Sequence, residues 1–84
     1  LVVHLYGMPA KMKEIGALSE RYGIPIIEDA AEALGSSIEG KACGSFGTFG
    51  ILSFNGNKIA TAGGGGCIIT SCKKLANKAK HFFF

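Results

Sequence analysis

Two short apolar runs with one amphipathic stretch between them constrain this chain more than any other feature. Leu1-Val2-Val3-His4-Leu5-Tyr6 is almost continuously apolar and is ended by Gly7, which suits a strand buried on both faces. Pro9 falls near the first turn of the helix expected next, where its missing N–H costs nothing. Met12, Ile15, Leu18 and Tyr22 recur at helical spacing, while Lys11, Glu14, Ser19 and Arg21 occupy much of the remaining surface. Gly23 is a natural C-terminal stop. Ile24-Pro25-Ile26-Ile27 reads as the next strand, with Pro25 at its start, where a lost donor is tolerated. Strand, helix, strand in this length is a βαβ unit, so the fold class is α/β with a parallel pair and a right-handed crossover.

The second strand runs into Glu28-Asp29-Ala30-Ala31-Glu32. Ligands of open α/β sheets sit outside the carboxyl ends of the strands, which is where Asp29 falls. The two alanines behind it allow close backbone approach, although Asp before an alanine run also fits a helix cap. Glu28 reads as an acceptor for nearby backbone or solvent. Ser36 to Gly44 has strand-like pieces around Gly40 and predicts a small hairpin. Gly44, Gly47 and Gly50 recur every third residue, but no strand feeds them and no helix clearly leaves them, so this is not a dinucleotide fingerprint. A tight connection with Phe46 and Phe49 packed inward is expected instead.

Gly50 to Phe54 predicts a third strand, with Ile51, Ser53 and Asn55 on one face and Leu52 and Phe54 on the other. It leads into Ser53-Phe54-Asn55-Gly56-Asn57-Lys58, a polar, glycine-bearing loop that carries one lysine five positions after one serine. A lysine fixed there and partly desolvated can add to a carbonyl, and a nearby hydroxyl can bind an anionic group of the same ligand. The alternative is a solvated lysine on a surface loop. Gly63 to Gly66 reads as a tight turn or as a backbone nest for an anion. Cys67 to Thr70 is the fourth strand, and Ser71 caps a last helix through Lys80.

Composition excludes several function classes. Eighty-four residues make one small domain at most. The chain starts inside an apolar run and ends in Phe82-Phe83-Phe84, so it reads as a piece of a longer protein, unstable on its own. Lys73, Lys74, Lys78 and Lys80 carry much of the net charge of +3. Without an arginine cluster or interleaved aromatics they form a solvated helix face rather than a surface for nucleic acid or anionic lipid. Cys43, Cys67 and Cys72 are odd in number and lie far from His4 and His81, which argues for free thiols in a reducing cytoplasm and against a metal site. No run approaches the ~18 apolar residues of a membrane span, no charged-then-apolar signal segment opens the given sequence, and neither internal repeats nor low complexity are seen in it.

Three stretches together resemble one family. His4-Leu5-Tyr6-Gly7, then Glu28-Asp29-Ala30-Ala31-Glu32-Ala33-Leu34-Gly35-Ser36, then Ser53 to Lys58 followed by Thr61-Ala62-Gly63-Gly64-Gly65-Gly66 are similar in order and spacing to the DegT/DnrJ/EryC1/StrS sugar aminotransferases. These are pyridoxal-phosphate enzymes of the aspartate-aminotransferase fold, fold type I. The resemblance covers the chain to about His81, so residues 1–81 read as the central part of the cofactor-binding large domain. Residues 82–84 depart from the expected polar continuation and read as a truncated end.

The resemblance implies part of a mixed, mostly parallel sheet with flanking helices. It also implies roles for individual residues. Lys58 matches the lysine that attaches to the cofactor and then shuttles the proton between substrate carbon and cofactor. Asp29 matches the carboxylate paired with the pyridine nitrogen, where it keeps the ring protonated as an electron sink. Glu32 matches a position beside the ring and its phenolic oxygen, and Ser53 a serine that bonds the cofactor phosphate. His4 stands next to the pocket, either against the ring or as a satisfied strand-end histidine.

The implied reaction moves an amino group, typically from glutamate, onto a nucleotide-linked keto-deoxysugar used for glycan or polysaccharide precursors. The wording of the Lys58 loop looks most like the subgroup acting at C4 of UDP-linked 4-keto-6-deoxy-N-acetyl sugars. A homodimer is implied for the full-length protein, with the partner contributing to the phosphate pocket. Two rivals are a relative that binds cofactor, sugar nucleotide or a partner without turnover, and a dehydratase-like relative with histidine in place of the lysine. Lys58 argues against both.

Overall fold

The computed structural model describes residues 1–83; Phe84, part of the atypical end, lies outside the described residues. In chain order the elements are β1 (Val2–Val3), α1 (Met12–Tyr22), β2 (Ile27–Asp29), β3 (Ser37–Ile38), β4 (Lys41–Ala42), β5 (Phe49–Ser53), β6 (Gly66–Ile69) and α2 (Lys73–Phe83). One sheet has the order β1-β2-β5-β6, parallel across its first two pairs and antiparallel between β5 and β6. This is the mixed, mostly parallel sheet expected, with β1, α1 and β2 forming the βαβ unit.

The first strand is much shorter than its apolar run. The His4 N–H donates to the Asp29 carbonyl at 3.0 Å, and the chain then leaves the sheet through a turn at Leu5–Gly7. Tyr6 there has a φ of 52°, a left-handed conformation uncommon outside glycine. Leu5 and Tyr6 are exposed, so their apolar character does not mark burial within this chain. Helix α1 also starts later than Pro9 suggested. The Ala10 N–H is held by His4 Nδ1 at 3.0 Å, tying residues 8–10 to the strand end, and the helix begins only after that tether. Its stop is as expected: Gly23 has a φ of 64°, and its N–H donates to the Ser19 carbonyl.

Strand β2 is displaced from residues 24–27 to 27–29. Ile24 and Pro25 are exposed outside the ladder, while Glu28 and Asp29 pair with Val2 and Val3. The hairpin forms where expected, and its turn residues Glu39 and Gly40 both have positive φ, 50° and 80°, the signature of a two-residue type I′ turn. The triplet of glycines is a close approach. A Cβ on Gly50 would collide with the Gly44 carbonyl, and one on Gly47 would lie 2.5 Å from the Ile26 oxygen. Phe46 and Phe49 are only half-buried, and the Lys41 ammonium sits 5.1 Å from the Phe46 ring centre.

Helix α2 extends beyond Lys80, and the hydroxyl at its entry is that of Thr70, which accepts the Cys72 N–H at 3.3 Å, rather than Ser71. The clustered lysines are exposed. A small core of Ala30, Ala33 and Cys43, with Leu52 packed on it, lies under the strand ends. Two apolar cavities, of about 630 and 380 Å³, separate Ile51 and Ile68 from α2. The chain of 8.7 kDa exposes 6037 Å², against about 4,700 Å² for a folded monomer of that mass.

Candidate functional site

The carboxyl ends of β1 and β2 meet the loop that follows β5 at a pocket of about 190 Å³, lined by Val3, His4, Leu5, Asp29, Ala31, Glu32 and Lys58. Four of the five expected site residues are therefore together. Ser53 is not in that lining; it ends β5, with its Oγ 3.4 Å from the Asn55 N–H.

Asp29 is the last residue of β2, and its Oδ1 accepts the Ala31 N–H at 3.1 Å. This local bond is an Asx-type turn. No helix follows it, since residues 30–36 form successive turns, so the helix-cap option fails. Asp29 Oδ2 has no hydrogen bond among the described residues.

Glu32 is shared between two elements. Its Oε2 accepts the Tyr6 N–H at 3.0 Å, and its Oε1 lies 3.8 Å from Lys58 Nζ. The Lys58 side chain is 16% exposed. It therefore stands at a pocket wall beside the Glu32 carboxylate, in a lining shared with Asp29, rather than in open solvent. The loop that carries it is itself exposed on both sides of the lysine.

Behind the pocket lies a polar network that sequence reasoning under-rated. His4 and Glu28 are both 0% exposed, and His4 Nε2 is 2.9 Å from Glu28 Oε1. The Ala10 N–H points at Nδ1 and requires a lone pair there, so the ring proton is on Nε2 and donates to Glu28. Both ring nitrogens are used, leaving none for a hydrogen bond to a cofactor. Of the two readings of His4, the geometry favours the satisfied strand-end histidine.

Glu28 also accepts the Gly44 N–H at 2.9 Å and the Gly47 N–H at 2.6 Å. Its acceptor role toward backbone is as expected, but its complete burial is not. The signal was available: a carboxylate inside an apolar strand has to be paired or hydrogen-bonded. Burial alone pushes the Glu28 carboxyl up, yet the donors from Gly47, His4, Gly44 and Phe46 outweigh it and hold it below its ordinary value of 4.5. Burial first, and the Glu28 charge second, push the Cys43 thiol up, which keeps it protonated and unreactive.

A depressed carboxyl stabilises the folded state above its unfolded value, and that contribution is lost as pH falls through the folded value. Glu28→Ala is expected to destabilise the folded protein on the order of 3 kcal/mol, because several buried donors lose their acceptor together. Glu28→Gln should flatten the loss of wild-type stability below pH 4.5. Urea unfolding of the full-length protein at neutral and acid pH measures both; an Ala variant as stable as wild type would show that water replaces the carboxylate.

Among the described residues no group of three or more His, Cys, Asp or Glu side chains is arranged to hold a metal ion, and no helix is long and apolar enough to cross a membrane.

Residues 1–83 match the profile of the DegT/DnrJ/EryC1/StrS aminotransferase family. The chain is 52% identical over 80 residues to EpsN of Bacillus subtilis (strain 168), a protein assigned by name to the pyridoxal phosphate-dependent aminotransferases; the match covers 95% of this chain and 21% of EpsN. It is 44% identical over 82 residues to a GDP-perosamine synthase of Escherichia coli O157:H7, covering 98% of this chain and 22% of that one. The crystal structure of a DegT DnrJ EryC1 StrS aminotransferase from Brucella abortus superimposes with a TM-score of 0.92 at 37% identity, over 98% of this chain and 22% of that one. The chain thus spans about a fifth of the length of the curated relatives it matches.

Proposed function

The chain belongs to the DegT/DnrJ/EryC1/StrS aminotransferase family, and from that premise we propose that it is the central part of the large domain of a sugar aminotransferase. Its cofactor is pyridoxal phosphate. Its substrates are an amino-acid donor, with glutamate the first choice, and a nucleotide-linked keto-deoxysugar. The finer reading is amination at C4 of a UDP-linked 4-keto-6-deoxy-N-acetyl sugar by a cytoplasmic homodimer.

The observation that carries this reading is convergence. A carboxylate at the end of β2 and a lysine amine 29 positions later, on a separate loop, line the same small pocket. The donor set fits the cofactor. An amine screened from bulk water is the nucleophile an aldehyde needs, and a carboxylate with one free oxygen is the partner a pyridine N–H needs. The pocket volume of about 190 Å³ is below the roughly 300–1,000 Å³ usual for small-molecule sites, as expected if other segments complete its walls.

When bound, the cofactor supplies a ring that takes up the electron pair left as the C–H bond of the donor breaks. The chain's own residues do the rest. Lys58 Nζ would hold the cofactor and would carry a proton to and from the reacting carbon. Asp29 Oδ2 would hold a proton on the ring nitrogen, while Oδ1, tied to Ala31, fixes the carboxylate's direction. Ser53, at the end of β5, offers a hydroxyl for the phosphate group. A relative that only binds has no use for a primary amine at this wall.

The test is the two half-reactions in the full-length protein. Glutamate is expected to convert the bound cofactor from its aldehyde to its amine form, followed by absorbance, and a UDP-linked keto-sugar should reverse the change. A protein that binds the cofactor but shows no donor-dependent change contradicts the reading.

A further inference from the structure

The loop that carries Lys58 is long and exposed, and among the described residues it has little outside support. It leaves β5 at Phe54 and returns to it at Ala62, whose N–H donates to the Phe54 carbonyl at 3.0 Å; the Phe54 N–H in turn donates to the Gly65 carbonyl at 2.9 Å. Inside this closure the Lys58 N–H donates to the Asn55 carbonyl at 3.0 Å, hanging the lysine from a turn. Among the described residues three side chains add to these backbone bonds, and Ser53 only weakly, its Oγ accepting the Asn55 N–H at 3.4 Å. Glu32 reaches only the tip of Lys58, at 3.8 Å. Thr61 acts at the base: its hydroxyl donates to the Phe54 carbonyl at 3.1 Å and accepts the Gly63 N–H at 3.0 Å.

We propose that Thr61 is a positioning residue for Lys58, its hydroxyl stapling the two ends of the lysine loop together so that the amine stays at the pocket wall. One hydroxyl uses its single proton on one strand of the loop and a lone pair on the other. Neither neighbour supplies a second side-chain bond, since Ala60 and Ala62 lack a polar side chain; Ala62 shares the Phe54 carbonyl through its backbone N–H alone. The stiffness matters because a reacting group displaced by about 1 Å loses much of its rate advantage. This role rests on the reading of Lys58 as the cofactor lysine, and it assigns Thr61 no contact with cofactor or substrate.

The experiment uses the full-length protein stripped of cofactor and measures the rate of pyridoxal phosphate capture from the visible band, with the unfolding midpoint as a parallel readout. Thr61→Val keeps the shape and removes both hydrogen bonds; capture is expected to slow on the order of tenfold with the midpoint unchanged. Thr61→Ser keeps both bonds and should capture at the wild-type rate. A Val variant as fast as wild type overturns the proposal, and so does a Ser variant as slow as Val, because the hydroxyl would then not be the active feature. Borohydride mapping separates this from the premise. If wild type carries no pyridoxyl group on Lys58, the reading of the lysine fails and takes the staple's role with it.

Discussion

Lys58→Ala in the full-length protein is expected to lose the visible band of lysine-attached cofactor and to lower transamination by at least about a thousandfold, the upper part of what a positioned proton-transfer group contributes. The reason lies in the wall of the pocket. Lys58 is the lysine that lines it, 16% exposed and facing Glu32. Lys11, Lys13, Lys41, Lys73, Lys74, Lys78 and Lys80 are all exposed elsewhere on the chain. Borohydride reduction of the wild-type protein followed by peptide mapping should therefore place the pyridoxyl group on Lys58. A label on another lysine, or a visible band unchanged in the alanine variant, sinks the assignment.

What could be read from the residues, and what could not, divides along a physical line. Features set by local geometry were legible: the Gly23 stop and the hairpin around Gly40 each depend on a few neighbouring backbone angles. The triplet glycines, by contrast, expected as a tight connection with Phe46 and Phe49 inward, make a close approach that reaches Ile26 and leaves both rings half-buried. That Asp29, Glu32 and Lys58 line one pocket was to be expected only from the resemblance, since nothing local says that positions 29 and 58 meet. Strand limits were not legible. An apolar run predicts burial only when the covering surface is present, and here Leu5, Tyr6, Ile27, Ile51 and Ile68 are all exposed. The surplus over a folded monomer of this mass, about 1,300 Å², exceeds the roughly 800 Å² that one partner buries in a standard interface. Such a surplus fits a chain whose apolar faces are covered by further parts of a larger domain. The buried Glu28 shows the converse case, because a charge in the strand hid a well-satisfied core position.

The second large effect is expected at Asp29. Asp29→Asn keeps the size of the side chain, and its amide oxygen can still accept the Ala31 N–H, so the turn at the end of β2 should survive. What changes is the oxygen without a partner in the described residues. As carboxylate it favours a proton on the ring nitrogen; as an amide it carries no charge and can present a donor there instead. With the cofactor bound, its ring would then withdraw electrons poorly as the C–H bond of the donor breaks. Each ~1.4 kcal/mol of lost stabilisation is tenfold in rate, so losing a few kcal/mol lowers kcat by orders of magnitude. Cofactor affinity should fall as well, while the unfolding midpoint of the cofactor-free protein should hardly move. Stopped-flow measurement of the glutamate half-reaction, with cofactor titration alongside, reads both quantities. Asparagine within a few-fold of wild type would mean that another group protonates the ring and that Asp29 serves its turn alone.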